Sequence, residues 1–192
     1  MPLEHLWATW RSNYVTGVVD SRRVAPGDEA DGRTLFERIL AAGEDGTSTD
    51  RELGIVARGP RCFVLLNRFP YTSGHLMVLP RRPVADLDGL DGEEHDELWS
   101  TVRTAVRAQR VGFECDGVNV GLNLGEAAGG SQSDHLHVHC VPRWIGDANF
   151  IGIAAETRVL PVGLDEAWDR LRAAWDRPAR DDTGSAWEDG GR

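Results

Sequence analysis

Gly129-Gly130-Ser131-Gln132-Ser133-Asp134-His135-Leu136-His137-Val138-His139-Cys140-Val141-Pro142-Arg143 is the stretch on which the reading of this chain turns. Histidine and apolar residues alternate through its second half. With the period of a strand, His135, His137 and His139 share one face and Leu136, Val138 and Cys140 the other. One face is core and the other is a site. Metal binding is one use for such a face, since neutral imidazole is a common zinc ligand. At ~3.3 Å per residue, however, the outer two histidines stand roughly 13 Å apart, too far to share one ion with bonds of about 2 Å. Purely structural histidines are the other alternative, and each buried ring would then need partners for both nitrogens. Catalysis is the reading that gives all three rings a purpose.

Composition narrows the chemistry. The chain has 192 residues, enough for one ordinary domain with extensions. All 21 basic residues are arginine, because lysine is absent, so Schiff-base chemistry and a P-loop lysine are excluded. A net charge of -10 disfavours non-specific binding to nucleic acid or to anionic membranes. Cys62, Cys115 and Cys140 are odd in number and widely spaced, which reads as buried reduced thiols. The N-terminus lacks the basic and apolar regions of a signal peptide, and no apolar run approaches ~18 residues, so the expected location is the cytoplasm.

Apolar periodicity divides the chain. Residues 1–50 read as an N-terminal arm and loop, with a helix-like Leu3, Leu6, Trp7, Trp10, Tyr14 series and a short helix from Leu35 that ends at Gly43. Residues 51–150 read as the main domain. Within it, Cys62 to Asn67 and His75 to Leu79 form a hairpin, and Glu93 to Gln109 a helix with acids in its first turn. Val118 to Leu124 and His135 to Val141 complete the strands. Residues 151–178 hold a second amphipathic helix through Leu164, Trp168, Leu171 and Trp175, and 179–192 read as a disordered tail.

The pattern His-φ-His-φ-His-φ-φ, with φ apolar, resembles that of the histidine-triad (HIT) superfamily of nucleotide hydrolases and transferases. Further matching segments are Leu65-Leu66-Asn67-Arg68, Gly74-His75-Leu76-Met77-Val78, Gly121-Leu122-Asn123-Leu124-Gly125 and Pro142-Arg143-Trp144. The resemblance implies an α+β HIT-like fold, a five-stranded mostly antiparallel sheet with packed helices, and a homodimer. It also implies that His137 is the nucleophile, forming a phosphoramidate that a second acceptor discharges. His135 and His139 would support it, by contacting phosphate oxygens or by fixing its ring. Asn67 matches a ribose contact, Asn123 a phosphate or ribose contact, and His75 a histidine behind or beside the phosphates. Gly129 and Gly130 let backbone N–H groups approach an anion, and Ser131 adds a hydroxyl, with Gln132 next to it.

Two departures refine the resemblance. Many HIT proteins carry a Cys-x-x-Cys knuckle, and the corresponding residues here are Thr34-Leu35-Phe36-Glu37, so no bound metal or other cofactor is expected beyond a divalent cation carried by substrate phosphates. Gly130-Ser131 stands where common hydrolases of the family have Gly-Gln. Together with Trp144 to Phe150, that substitution resembles the family's bacterial diadenosine tetraphosphate phosphorylases. The implied partners are adenine nucleotides and inorganic phosphate, and the implied activity is phosphorolysis of diadenosine tetraphosphate to ATP and ADP. Hydrolysis of dinucleoside polyphosphates or nucleoside phosphoramidates is the alternative, and nucleotide sensing without catalysis a third. Elemental analysis of the purified chain should find no stoichiometric zinc; about one zinc per chain, with activity lost on its removal, would contradict this reading.

Overall fold

The computed structural model describes residues 32–128, 132–147 and 161–177. The expected N-terminal arm, the tail and the Gly129-Gly130-Ser131 turn lie outside the described residues.

Two capping boxes bring the chain to its sheet. Thr34 caps α1 (Leu35–Glu44): its hydroxyl accepts from Glu37 N while the Glu37 carboxylate accepts from Thr34 N. Thr49 and Glu52 do the same for α2 (Asp50–Leu53), a single turn with no buried residue and no apolar signature in the sequence. Gly54 then ends α2 in the left-handed conformation and the chain enters β1 (Ile55–Arg58). The hairpin follows as β2 (Cys62–Leu66) and β3 (Leu76–Pro80), every residue of both strands buried. Asn67 and His75 fall just outside the strands, where Asn67 N donates to the His75 carbonyl at 2.9 Å.

Helix α3 (Gly92–Phe113) outruns its expected end by a turn. Ala108, Gln109 and Phe113 are buried, so packing carries the helix past Gly112 to a left-handed Glu114. After β4 (Gly117–Leu122), β5 (Val138–Arg143) inserts between β3 and β4, and the sheet order is β1-β2-β3-β5-β4 with every neighbouring pair antiparallel. The expected strand from His135 is corrected here. Pairing with β3 begins only at Val138, because Leu136 N donates instead to Val84 O at 2.6 Å and the His135 carbonyl is taken by its neighbour's ring. The alternation of faces nevertheless continues through this unpaired segment, with Leu136, Val138 and Cys140 all in the core.

Each face of the sheet has its own cover. Cys62, Val64, Leu66, Leu76 and Val78 pack beneath α3 and α4 (Leu164–Trp175). Phe63, Leu65, Met77 and Leu79 meet Phe36 and Leu40 of α1 on the other. His75 and His139 share the parity of Met77, so they lie on the α1 face, beyond the helix's N-terminus. Trp168 anchors α4 by donating from Nε1 to Ile55 O at 2.9 Å. All three cysteines are buried thiols, unpaired as expected.

One buried amide ties α3 to the strands beneath it. Gln109 is fully buried, and its Nε2 donates to Gly74 O at 2.9 Å and Cys140 O at 2.7 Å. Continuing the β3–β5 register would set Gly74 against Pro142, which has no N–H to offer, so the glutamine supplies the missing donor. Gly74 itself has φ +80, and a Cβ there would stand 2.5 Å from the Phe113 ring. Gln109→Leu leaves two buried carbonyls without that donor and relieves only the amide's own unpartnered Oε1. Urea denaturation should show a loss of about 1–3 kcal/mol, and an unchanged midpoint would count against the clamp.

Candidate active site

The site is assembled at the start of β5. His137 is buried, 7% exposed, and its ring stands between Phe36 at 5.5 Å and His139 at 4.8 Å, centroid to centroid. Its Nδ1 lies 2.8 Å from the His135 carbonyl. A carbonyl only accepts, so the neutral ring carries its proton on Nδ1 and keeps a lone pair on Nε2. Among the described residues nothing bonds to that Nε2.

His139 is set by a chain of donors that starts in the hairpin loop. Tyr71 N donates to His75 Nδ1 at 3.2 Å, and the Asn67 amide nitrogen approaches the same atom at 3.3 Å. With Nδ1 accepting, neutral His75 bears its proton on Nε2 and donates to His139 Nδ1 at 3.0 Å. His139 must therefore carry its own proton on Nε2, 3.4 Å from the side-chain amide of Asn123. That amide serves this tautomer when its oxygen faces the ring, and the two orientations occupy the same space. The result is an N–H on the ring that packs edge-on against His137. Tyr71 lies over both rings of the pair, its centroid 4.6 Å from His75 and 5.8 Å from His139.

His135 turns both of its ring nitrogens into the protein. It is fully buried, its Nε2 donating to Pro80 O at 2.8 Å and its Nδ1 standing 2.9 Å from the Thr34 hydroxyl. Both ring nitrogens are spent within the protein, so of its two expected roles only the fixing of His137 is compatible with the geometry, and that runs through its backbone carbonyl. Asn67 likewise turns its amide inward, Nδ2 to His75 and Oδ1 to Phe69 N at 2.9 Å. Gln132 is partly exposed ahead of the triad, and Gly129, Gly130 and Ser131 are outside the described residues. His95 lies on the surface beside Asp96.

Three residues of the site escaped the sequence reading. Thr34 and Phe36 come from helix α1, across 101 positions of sequence in the case of Thr34 and His135, and Tyr71 comes from the hairpin loop. The Thr-x-x-Glu capping box was a legible signal for Thr34, but nothing local betrays its partner.

A family model described as the HIT domain matches residues 50–144. The chain is also 40% identical over 175 residues to an AP-4-A phosphorylase of Mycobacterium tuberculosis, covering 91% of this chain and 86% of that one.

The chain belongs to the HIT domain family.

A bis(5'-adenosyl)-triphosphatase of Dictyostelium discoideum is 32% identical over 81 residues, 42% of this chain and 54% of its own length. Among solved structures, a zinc-bound histidine triad family protein from Mycobacterium smegmatis superposes with a TM-score of 0.60 at 27% identity, over 75% of this chain and 94% of that one. In this HIT chain the stretch corresponding to the knuckle of many relatives is Thr34-Leu35-Phe36-Glu37. Among its described residues no three His, Cys, Asp or Glu side chains are grouped to hold an ion. Thr34 and Glu37 are engaged in a helix cap instead.

Burial favours the uncharged rings. It holds His135 and His137 below the ordinary histidine range, and takes His139 down to about 4, with the neighbouring His137 a smaller cause. The sign for stability follows. As pH falls below about 6.5 the unfolded histidines bind protons that the native ones refuse, so stability is lost progressively toward pH 4. Between pH 6.5 and about 5, before the carboxylates titrate, urea denaturation should show the wild type weakening and His139→Gln weakening less steeply.

Proposed function

We propose that this chain splits diadenosine tetraphosphate with inorganic phosphate, releasing ATP and ADP. The observation that carries the reading is the His137 Nδ1–H···O=C bond to His135, which leaves Nε2 unprotonated. In the first step the Nε2 lone pair attacks the α-phosphorus of one adenylyl group, an N–P bond forms, and the P–O bond to the departing ATP breaks. A neutral nucleophile avoids the repulsion that an anionic one would meet at a polyphosphate. In the second step a phosphate oxygen attacks the adenylyl group, the N–P bond breaks and ADP leaves.

The surrounding groups suit these steps. His139 Nε2–H, held only by the long 3.4 Å contact to the Asn123 amide, can turn to an oxygen on which charge develops, and burial, which takes its pKa down to about 4, keeps the ring an uncharged donor. The Gly129-Gly130-Ser131 turn would hold the acceptor phosphate, its short serine leaving space that the glutamine of hydrolases fills. The 40% identity to the M. tuberculosis AP-4-A phosphorylase across 91% of the chain supports the same substrate. A divalent cation would enter as part of the substrate, bound to its phosphates.

The working unit in this reading is a cytoplasmic homodimer. Strand β4 is the sheet edge, and Asn119, Val120 and Gly121 on it are exposed, which suits antiparallel pairing with a second copy. No helix among the described residues is long and apolar enough to cross a membrane. The excess of acid likewise makes nucleic acid an unsuitable partner.

Product analysis decides the acceptor. With diadenosine tetraphosphate and phosphate, ATP and ADP should form together, and without phosphate turnover should nearly stop. Ser131→Gln should shift product from ADP toward AMP, and His137→Ala should lower turnover by about three orders of magnitude or more while nucleotide still binds. Release of AMP by the wild type at full rate in phosphate-free buffer would make the chain a hydrolase using the same intermediate.

A further inference from the structure

We propose that Thr34 is a positioning residue for the nucleophile, its hydroxyl proton fixing the tautomer of His135 and through it the carbonyl that orients His137. The proposal rests on the reading of His137 as the attacking group.

The hydrogen bonds around Thr34 can be assigned without ambiguity. Pro80 O only accepts, so His135 Nε2 carries the proton at that 2.8 Å contact. In the neutral ring Nδ1 is then an acceptor, and the Thr34 hydroxyl 2.9 Å away must donate to it. The hydroxyl oxygen keeps lone pairs, one of which accepts from Glu37 N at 3.2 Å. One hydroxyl therefore does two separable things: its oxygen caps α1 and its hydrogen holds His135.

The second task matters because the segment bearing the nucleophile is not in the sheet. Among the described residues no strand pairing covers His135 to His137, since pairing with β3 and β4 starts at Val138. What restrains it are three anchors: His135 Nε2 to Pro80 O, His135 Nδ1 to Thr34, and Leu136 N to Val84 O. Two of the three pass through one ring. Phe36, two residues beyond the cap, closes edge-on against that ring at 5.4 Å and also backs His137. With the His135 ring unanchored, the backbone around it is free to shift, which would carry its carbonyl away from His137 Nδ1 and release the bond that keeps the lone pair on Nε2. Charged groups facing the ring are Glu37 on α1 and Asp134 ahead of the triad, with His137 beside it.

Three substitutions in the full chain separate the two tasks. Thr34→Ser keeps both. Thr34→Val, nearly the same shape, loses both. Thr34→Asp keeps the cap, since aspartate is at least as good there as threonine, but offers His135 only acceptors, so the buried neutral ring carries its proton on Nδ1 and loses the Nε2–H bond to Pro80 O. The readouts are kcat and KM with diadenosine tetraphosphate and phosphate, the thermal midpoint, and the nitrogen-15 shifts of the His135 ring. The wild-type ring should be protonated on Nε2 alone. Thr34→Ser should match wild type within about 3-fold in kcat, whereas Thr34→Val and Thr34→Asp should lose roughly 10- to 100-fold with KM little changed, the scale on which small misplacements act. Thr34→Asp should do so with a wild-type thermal midpoint and with nitrogen-15 shifts that show Nδ1 protonated.

Wild-type kcat in Thr34→Asp, a wild-type ring protonated on Nδ1, or a loss in Thr34→Ser equal to that in Thr34→Val would each overturn the proposal. Should Thr34→Val fail to fold, the aspartate and serine variants still decide. Failure of the underlying reading has a different appearance. In that case labelled adenylyl-enzyme is absent from the wild type itself, whatever the Thr34 variants do.

Discussion

A buried imidazole is tolerable when it is neutral and both its nitrogens are served, and the centre of this molecule is built on that constraint. His75 and His135 are fully buried and His137 nearly so. His75 and His135 are each placed between one group that can only donate or only accept and another whose role is thereby decided. Tyr71 N decides His75, which decides His139. Pro80 O decides His135, which decides the role of Thr34. His137 is decided by a backbone carbonyl, and it alone of the triad is left with an unengaged nitrogen. The neutral state that burial imposes is the state in which imidazole is a nucleophile, so stability and reactivity make the same demand here.

Much of this was legible in the sequence because it depends on period. Alternation placed Leu136, Val138 and Cys140 in the core and the histidines opposite, and this held even where the strand itself does not begin until Val138. The amphipathic spacing of Leu98, Val102 and Ala105 gave α3, and Leu164 to Trp175 gave α4 with its bounds. The hairpin was visible from its β-rich runs. Strand order was not read from the sequence, since nothing local says that β5 inserts between β3 and β4. Helix α2 was missed because one turn held by a capping box needs no apolar face.

The division of labour among the site residues was the least legible part, because it is decided by partners distant in sequence. His135 is as conspicuous in the pattern as His137, yet its ring serves only the protein, through a proline carbonyl 55 residues away and a threonine 101 residues away. The same holds for Asn67, whose amide supports His75 from within the loop. Thr34 and Glu37 show the complementary point. A stretch that departs from the knuckle pattern of many HIT proteins still meets the triad, now by a helix cap and one hydroxyl proton.

The Gln109 amide has a consequence for how the molecule breathes. Its two acceptors, Gly74 O and Cys140 O, belong to the residues next to His75 and His139, so the buried face of α3 near its C-terminal end is bonded to the backbone that carries these two histidines. Loops that carry reactive groups commonly open at little cost, independently of the elements beneath them. Here the turn before His75 cannot swing out without pulling a buried amide from the core. Amide hydrogens around His75 and Cys140 should therefore exchange with deuterated solvent in step with that part of α3, as one cooperative unit, while the edge strand β4 exchanges sooner.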